Sequence, residues 1–191
     1  MIGTKKVPIR FSYANVWVAR AMNDGDDPKY GISLLIDKDD DPMVKKIKAA
    51  IKAAVAEGKS SKWGGKIPRN YKYPLRDGDE ERPDDENYAN MYFINASSKT
   101  KPGIVDEERE DIIDADAFYS GCFGRATVNF YPFKVSGSSG IAAGLENLQK
   151  LKDGEPLGGA RVSAFDDFAD DDEDYSDNEV EEEDEDLEDM L

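Results

Sequence analysis

Between Met43 and Arg76 the chain gathers ten bases (Lys45, Lys46, Lys48, Lys52, Lys59, Lys62, Lys66, Arg69, Lys72, Arg76) against one acid, Glu57. The second half interleaves rings with these charges, in the order Trp63, Lys66, Arg69, Tyr71, Lys72, Tyr73. Cations follow phosphates and ring faces stack on unpaired bases, so the mixture has the chemistry of single-stranded nucleic-acid binding. A stacked base contributes roughly 1–3 kcal/mol, which makes two or three rings matter as much as several charges. The structural alternative is that the rings cap a core and the lysines keep it soluble.

A second candidate surface follows from strand periodicity. Alternation along Phe123–Phe133 puts Gly124, Ala126, Val128 and Phe130 on a core side, and Phe123, Arg125, Thr127, Asn129, Tyr131 and Phe133 on the other. That second set mixes a cation, amide and hydroxyl groups, and rings. Lys99 and Lys101 fit the same groove. The expected phosphate contacts are Lys66, Arg69, Lys72, Lys99, Lys101 and Arg125. The expected stacking faces are Trp63, Tyr71, Tyr73 and Tyr131.

Other chemistries lack their groups. The chain has no histidine and one cysteine, Cys122, which excludes Ser–His or Cys–His catalysis, a Cys/His zinc site and an intrachain disulfide. Neither a G-x-x-x-x-G-K-[ST] nor a G-x-G-x-x-G loop occurs, and no cofactor is expected. The pairs Asp77/Asp79 and Asp114/Asp116 keep a metal-dependent nuclease as a rival.

The net charge of −17 argues against nucleic acid only if it is read as one number. Residues 166–191 hold 17 of the 42 acids and no Lys or Arg, so residues 1–165 balance 25 acids against 25 bases. The expected organisation is a folded domain over 1–165 and a disordered acidic tail over 166–191, because the tail has too little apolar content to offset its ordering entropy. As a coil it would span roughly 30 Å, against a radius of gyration near 15 Å for the body. It is thus a candidate tethered competitor for DNA. Its apolar tip, Asp189-Met190-Leu191, is a candidate dock for replication or recombination proteins. The alternatives are a solubility tail, or an acidic interaction module or DNA mimic that binds basic partners. No apolar run spans a membrane, and Met1–Lys6 lacks a signal-peptide core, so a cytoplasmic location is expected.

These groups need positioning elements. Val7–Ala21 and Tyr30–Ile36 read as a hairpin, with Ile9, Phe11 and Tyr13 alternating on one face. Asp41 is the expected N-cap of a helix carrying Val44, Ile47, Ile51 and Val55, closed by Gly58. Lys45, Lys48 and Lys52 fall off that stripe. Asp77–Asn90 reads as a mobile acidic loop, Met91–Ala96 and Gly121–Val135 as strands, Val135–Gly140 as a loop, and Ile141–Leu151 as a strand or a short helix, with the strand favoured because a barrel needs closing there. The fold class is mainly β: a five-stranded OB-like barrel with one α-helix between early and later strands and long loops.

Several runs resemble the phage-encoded OB-fold single-stranded-DNA-binding proteins. They are Arg10-Phe11-Ser12-Tyr13-Ala14-Asn15, Pro28 to Ile36, Asn95 to Pro102, Tyr119-Ser120-Gly121-Cys122, Asn129-Phe130-Tyr131-Pro132, Gly140 to Gln149 and Asp153 to Gly159. The resemblance implies sequence-tolerant DNA binding and a role in phage replication or recombination, which would place the protein in the host cytoplasm; single-stranded DNA is the expected ligand, with double-stranded DNA as a further one once the tail is removed. It also implies an acidic tail that recruits enzymes and restrains DNA binding.

Overall fold

The computed structural model describes residues 1–158 except Met22. Apolar and β-branched residues build five long strands: β1 (Ile9–Arg20), β2 (Lys29–Asp37), β4 (Met91–Ser98), β6 (Phe123–Val135) and β7 (Ser138–Lys152). β3 (Arg76–Asp77) and β5 (Gly103–Val105) are short additions at the edges. β1 pairs antiparallel with β2, and β2 with β4; β4 runs parallel to β7; β7 pairs antiparallel with β6, and β6 with β1. The ring β1–β2–β4–β7–β6 is therefore closed, as a small OB-type barrel requires. Its interior takes one face of each strand, including Phe11, Ile32, Leu34, Ile94, Ala96, Ala126, Ala143 and Leu145.

Helix α1 (Asp41–Ser61) adds Met43, Val44, Ile47, Ile51 and Ala54 to this core through one apolar stripe. Its N-cap is Asp40, one residue before the expected Asp41; the Asp40 carboxylate accepts the Met43 N–H at 3.3 Å. Gly58 does not end the helix but lies buried inside it. A Cβ there would stand 2.7 Å from Pro132 Cβ and 2.8 Å from the Trp63 ring, so close packing requires glycine at this position.

Two expected loops are structured. Residues 77–90, expected to be mobile, form α2 (Gly78–Glu81) and a 3₁₀ turn at Glu86–Tyr88. The acids that suggested a solvated loop act locally: Asp77 and Asp85 cap these turns, while Lys38 Nζ lies 2.5 Å from Asp77 and 2.6 Å from Asp79. Tyr88 anchors the segment, fully buried and 5.1 Å from the Phe93 ring. The loop expected over 135–140 contracts to the two-residue turn Ser136-Gly137, both with positive φ, and this turn matches the twist of the β6–β7 hairpin. The acidic segment 166–191, with its expected disorder and its tip Asp189-Met190-Leu191, lies outside the described residues. Among the described residues no helix is long and apolar enough to cross a membrane.

Candidate nucleic-acid interface

Residues paired across neighbouring strands share a face. Asn15 pairs with Gly31, Gly31 with Ser97, Ser97 with Gly144, and Gly144 with Asn129. These five form one row across five strands on the barrel's outer face, because their chain neighbours Ile32, Ala96 and Ala143 point into the core. At about 4.8 Å between strands the row is roughly 19 Å long. A second row, Ser12–Ser33–Asn95, runs beside it, and the Ser33 hydroxyl bonds to Asn95 Oδ1 at 2.5 Å. Glycine and serine keep this floor low; the asparagines supply amide donors and acceptors.

Over the β1, β2 and β4 part of the floor lies an open groove of about 740 Å³. Its walls carry Arg20, Lys29, Arg82 and Lys99 against Asp26 and Asp27, and the rings of Tyr13 and Tyr30. Lys99 forms an ion pair with Asp27, and its hydrogen bond holds the Asp27 carboxyl below the ordinary value. The lining residues come largely from the runs that carry the family resemblance: Tyr13 and Asn15, Lys29 to Ser33, and Asn95 to Lys99.

Tyr13 does not alternate inward with Ile9 and Phe11 as expected. The β1–β2 register slips between Ser12 and Asn15, and Tyr13 adopts φ 46°, a left-handed conformation unusual for a bulky residue. Such bulges re-aim side chains, and the Tyr13 ring is 54% exposed. Arg82 Nη1 donates to its hydroxyl at 2.9 Å.

The expected contact residues fall into separate places. Trp63 is a correction. It is 6% exposed, its indole N–H donates to the Phe133 carbonyl at 3.1 Å, and it packs on α1, so it offers no face to a base. Gly64 and Gly65 do break the chain after it, but they let the loop fold the ring inward rather than hold it out. Tyr71 is half-buried 6.0 Å from Trp63, and the exposed Tyr73 meets Tyr71 edge-on at 6.2 Å. Lys66 and Arg69 are exposed on the same loop. The Lys72 backbone is pinned to Ser139 and Ile141. Lys45, Lys48, Lys52 and Lys59 lie on exposed positions of α1 and do not line the groove.

Lys101 stands 4.9 Å over the Trp17 ring. Arg125 donates to Gln149 at 2.6 Å, in a smaller cleft of about 210 Å³ shared with Arg109. Tyr131 is 44% exposed, and its ring lies across Gly144, where a Cβ would come within 3.3 Å of it. Of the expected residues, then, Lys99 and Tyr131 border the outer-face floor. Sequence reasoning passed over Tyr13, Asn15, Lys29 and Arg82 as site residues. Among the described residues no three of His, Cys, Asp and Glu converge on a metal-binding position.

A family model described as the single-stranded-DNA-binding protein of Enterobacter phage Enc34 matches residues 1–180. Putative protein p50 of Acyrthosiphon pisum secondary endosymbiont phage 1 is 34% identical over 152 residues, 74% of this chain and 79% of that protein. Among solved structures, the single-stranded DNA-binding protein from bacteriophage Enc34 in complex with ssDNA superimposes with a TM-score of 0.70 at 30% identity, over 79% of this chain and 86% of that one. The single-stranded DNA-binding protein gp2.5 of bacteriophage T7 shares the fold, with a TM-score of 0.53 at 16% identity over 92% and 94% of the two chains.

Proposed function

The chain belongs to the family of the Enterobacter phage Enc34 single-stranded-DNA-binding protein, and from that membership and the outer groove we infer how it acts. It binds single-stranded DNA and is a binding protein rather than an enzyme. The strand crosses β1, β2, β4, β7 and β6 along the row Asn15–Gly31–Ser97–Gly144–Asn129. Tyr13 and Tyr131 offer stacking faces. Lys29 and Lys99 meet phosphates at the rim, and Lys66, Arg69, Lys72, Lys101 and Arg125 remain candidates for contacts with a longer strand. The single observation that carries this reading is the row itself: small and amide side chains from five strands, bordered by exposed rings and cations.

The working context we propose is phage replication or recombination in the host cytoplasm, with duplex DNA as a secondary ligand. In this reading residues 1–165 are the binding domain. Residues 166–191, with 17 acids and no base, compete with DNA as a tethered polyanion, and Asp189, Met190 and Leu191 engage partner proteins. Leu157 packs against Leu35, Tyr88 and Phe93, and the last two rings also flank the groove residue Arg82.

The test is fluorescence anisotropy with a labelled oligothymidylate, comparing the full chain with Gly31→Val. A Cβ on Gly31 meets nothing nearer than the Ala96 carbonyl at 3.7 Å, so the fold accepts the change while the floor is filled. The expected result is at least a tenfold loss of affinity at an unchanged melting temperature. Equal affinity would move the site elsewhere.

A further inference from the structure

Arg82 is held in an unusual way for a surface cation. Its guanidinium lies 4.6 Å from the Tyr88 ring centroid, 5.4 Å from Phe93 and 4.9 Å from Tyr13. It takes part in none of the ion pairs among the described residues. Tyr88 and Phe93 are fully buried, so they fix the guanidinium from the protein side. Arg82 is itself carried by the 77–90 segment, which is tied down separately by Lys38 to Asp77 and Asp79 and by the Asn90 N–H to Asp79 at 2.9 Å.

On the groove side the same guanidinium donates to Tyr13 Oη. A bulky residue such as tyrosine persists in left-handed backbone only where its surroundings over-determine it. The bulge points the ring out, but an exposed ring on a bulge keeps its side-chain freedom unless something holds it. A ring that must be ordered on each binding event stacks less well than one already in place.

We propose that Arg82 is a positioning residue for DNA binding: it fixes Tyr13 as a pre-set stacking platform at one end of the groove, and the acidic 77–90 strap exists to present it. This rests on the groove being the DNA site. Arg82 then acts through the Tyr13 hydroxyl, not by neutralising a phosphate. The two roles differ in salt dependence, because a phosphate contact on a single strand adds about 0.7 to the slope of log K against log salt.

The test is a double-mutant cycle in the full chain, read by oligothymidylate affinity over a range of salt. Arg82→Gln and Tyr13→Phe are each expected to weaken binding about fivefold with the salt slope unchanged, and their combination to weaken it no further than either alone. Tyr13→Ala is expected to weaken binding more, and Arg82→Gln to have no effect in that background. Arg82→Lys, which keeps the charge but loses the planar donor, should behave like Arg82→Gln. Overturning results are an additive double mutant, an effect of Arg82→Gln that survives in Tyr13→Ala, or a slope that falls by one contact. Circular dichroism and thermal melting accompany each variant, so that a folding defect is not read as lost binding. If Gly31→Val also left affinity unchanged, the groove reading itself would fail; if Gly31→Val abolished binding and the cycle were additive, this inference alone would fail.

Discussion

The indole N–H of Trp63 donates to the carbonyl of Phe133 across a gap of 70 residues in sequence, at 3.1 Å. That bond ties the loop after α1 to the β6–β7 hairpin, and Gly58 makes room for the ring beneath it. It changes what the basic stretch can do, since its largest aromatic is part of the core.

Trp63→Ala is therefore expected to cost stability rather than binding. Truncating a buried tryptophan costs roughly 3–5 kcal/mol. Urea denaturation should show that loss, while the folded variant should bind a short oligothymidylate within about twofold of the parent, well under the 1–3 kcal/mol assigned to a stacked base. A tenfold loss of affinity at unchanged stability would return Trp63 to the interface.

Gly144→Val tests Tyr131. The glycine lies on the outer row under the Tyr131 ring, where a Cβ would already stand a tight 3.3 Å from Tyr131 Cε1 and a branched side chain would press closer. The substitution should displace the ring and lower single-strand affinity by about 1–3 kcal/mol, the worth of one stacked base. Tyr131→Ala should match it, and the two together should not add. Independent effects would show that Tyr131 is not the group displaced.

The ties between Lys38 and the strap make its order depend on pH. Hydrogen bonds from Lys38 hold the Asp77 and Asp79 carboxyls below their ordinary value, and the same bonds push the Lys38 ammonium up. Carboxyls depressed by folding contribute stability above their unfolded value, about 3.9, and lose it as pH falls through the folded value. An ammonium raised by folding contributes below its unfolded value, about 10.4, and loses it as pH rises through the folded one. The full contribution thus lies between about pH 4 and 10. Lys38→Met should lower the melting temperature and speed amide exchange over 77–90 at pH 7, and the gap between variant and parent should close below pH 4. A gap independent of pH would mean that the lysine stem, not its charge, orders the strap.

Much of the scaffold was legible because its signals are local. Period-two alternation pointed to β6 and the start of β1, β-branched and aromatic content to the β1–β2 hairpin, and helical spacing of Val44, Ile47 and Ile51 to α1, whereas β7 was expected only because a barrel needs closing. The separation of a balanced body from an acidic segment is likewise a matter of composition. The misplaced features depend on contacts, near or far in the chain, that a periodicity or composition signal does not show. Asp77, Asp79 and Asp85 look like a solvated loop until Lys38 and two local turns use them. Gly58 looks like a helix stop until Pro132 and Trp63 press against it.

The sequence by itself determined the barrel class, the helix and the charge segregation. Only the tertiary structure decided which side chains meet there. Asn15, Gly31, Ser97, Gly144 and Asn129 are scattered over more than a hundred residues, and they align only because strand register joins them edge to edge. Tyr13 faces outward because of one bulge, and Arg82 reaches it from a distant strap. Register and bulges follow from which strands pair, and pairing is fixed by burial of the whole core, which no local window of sequence contains.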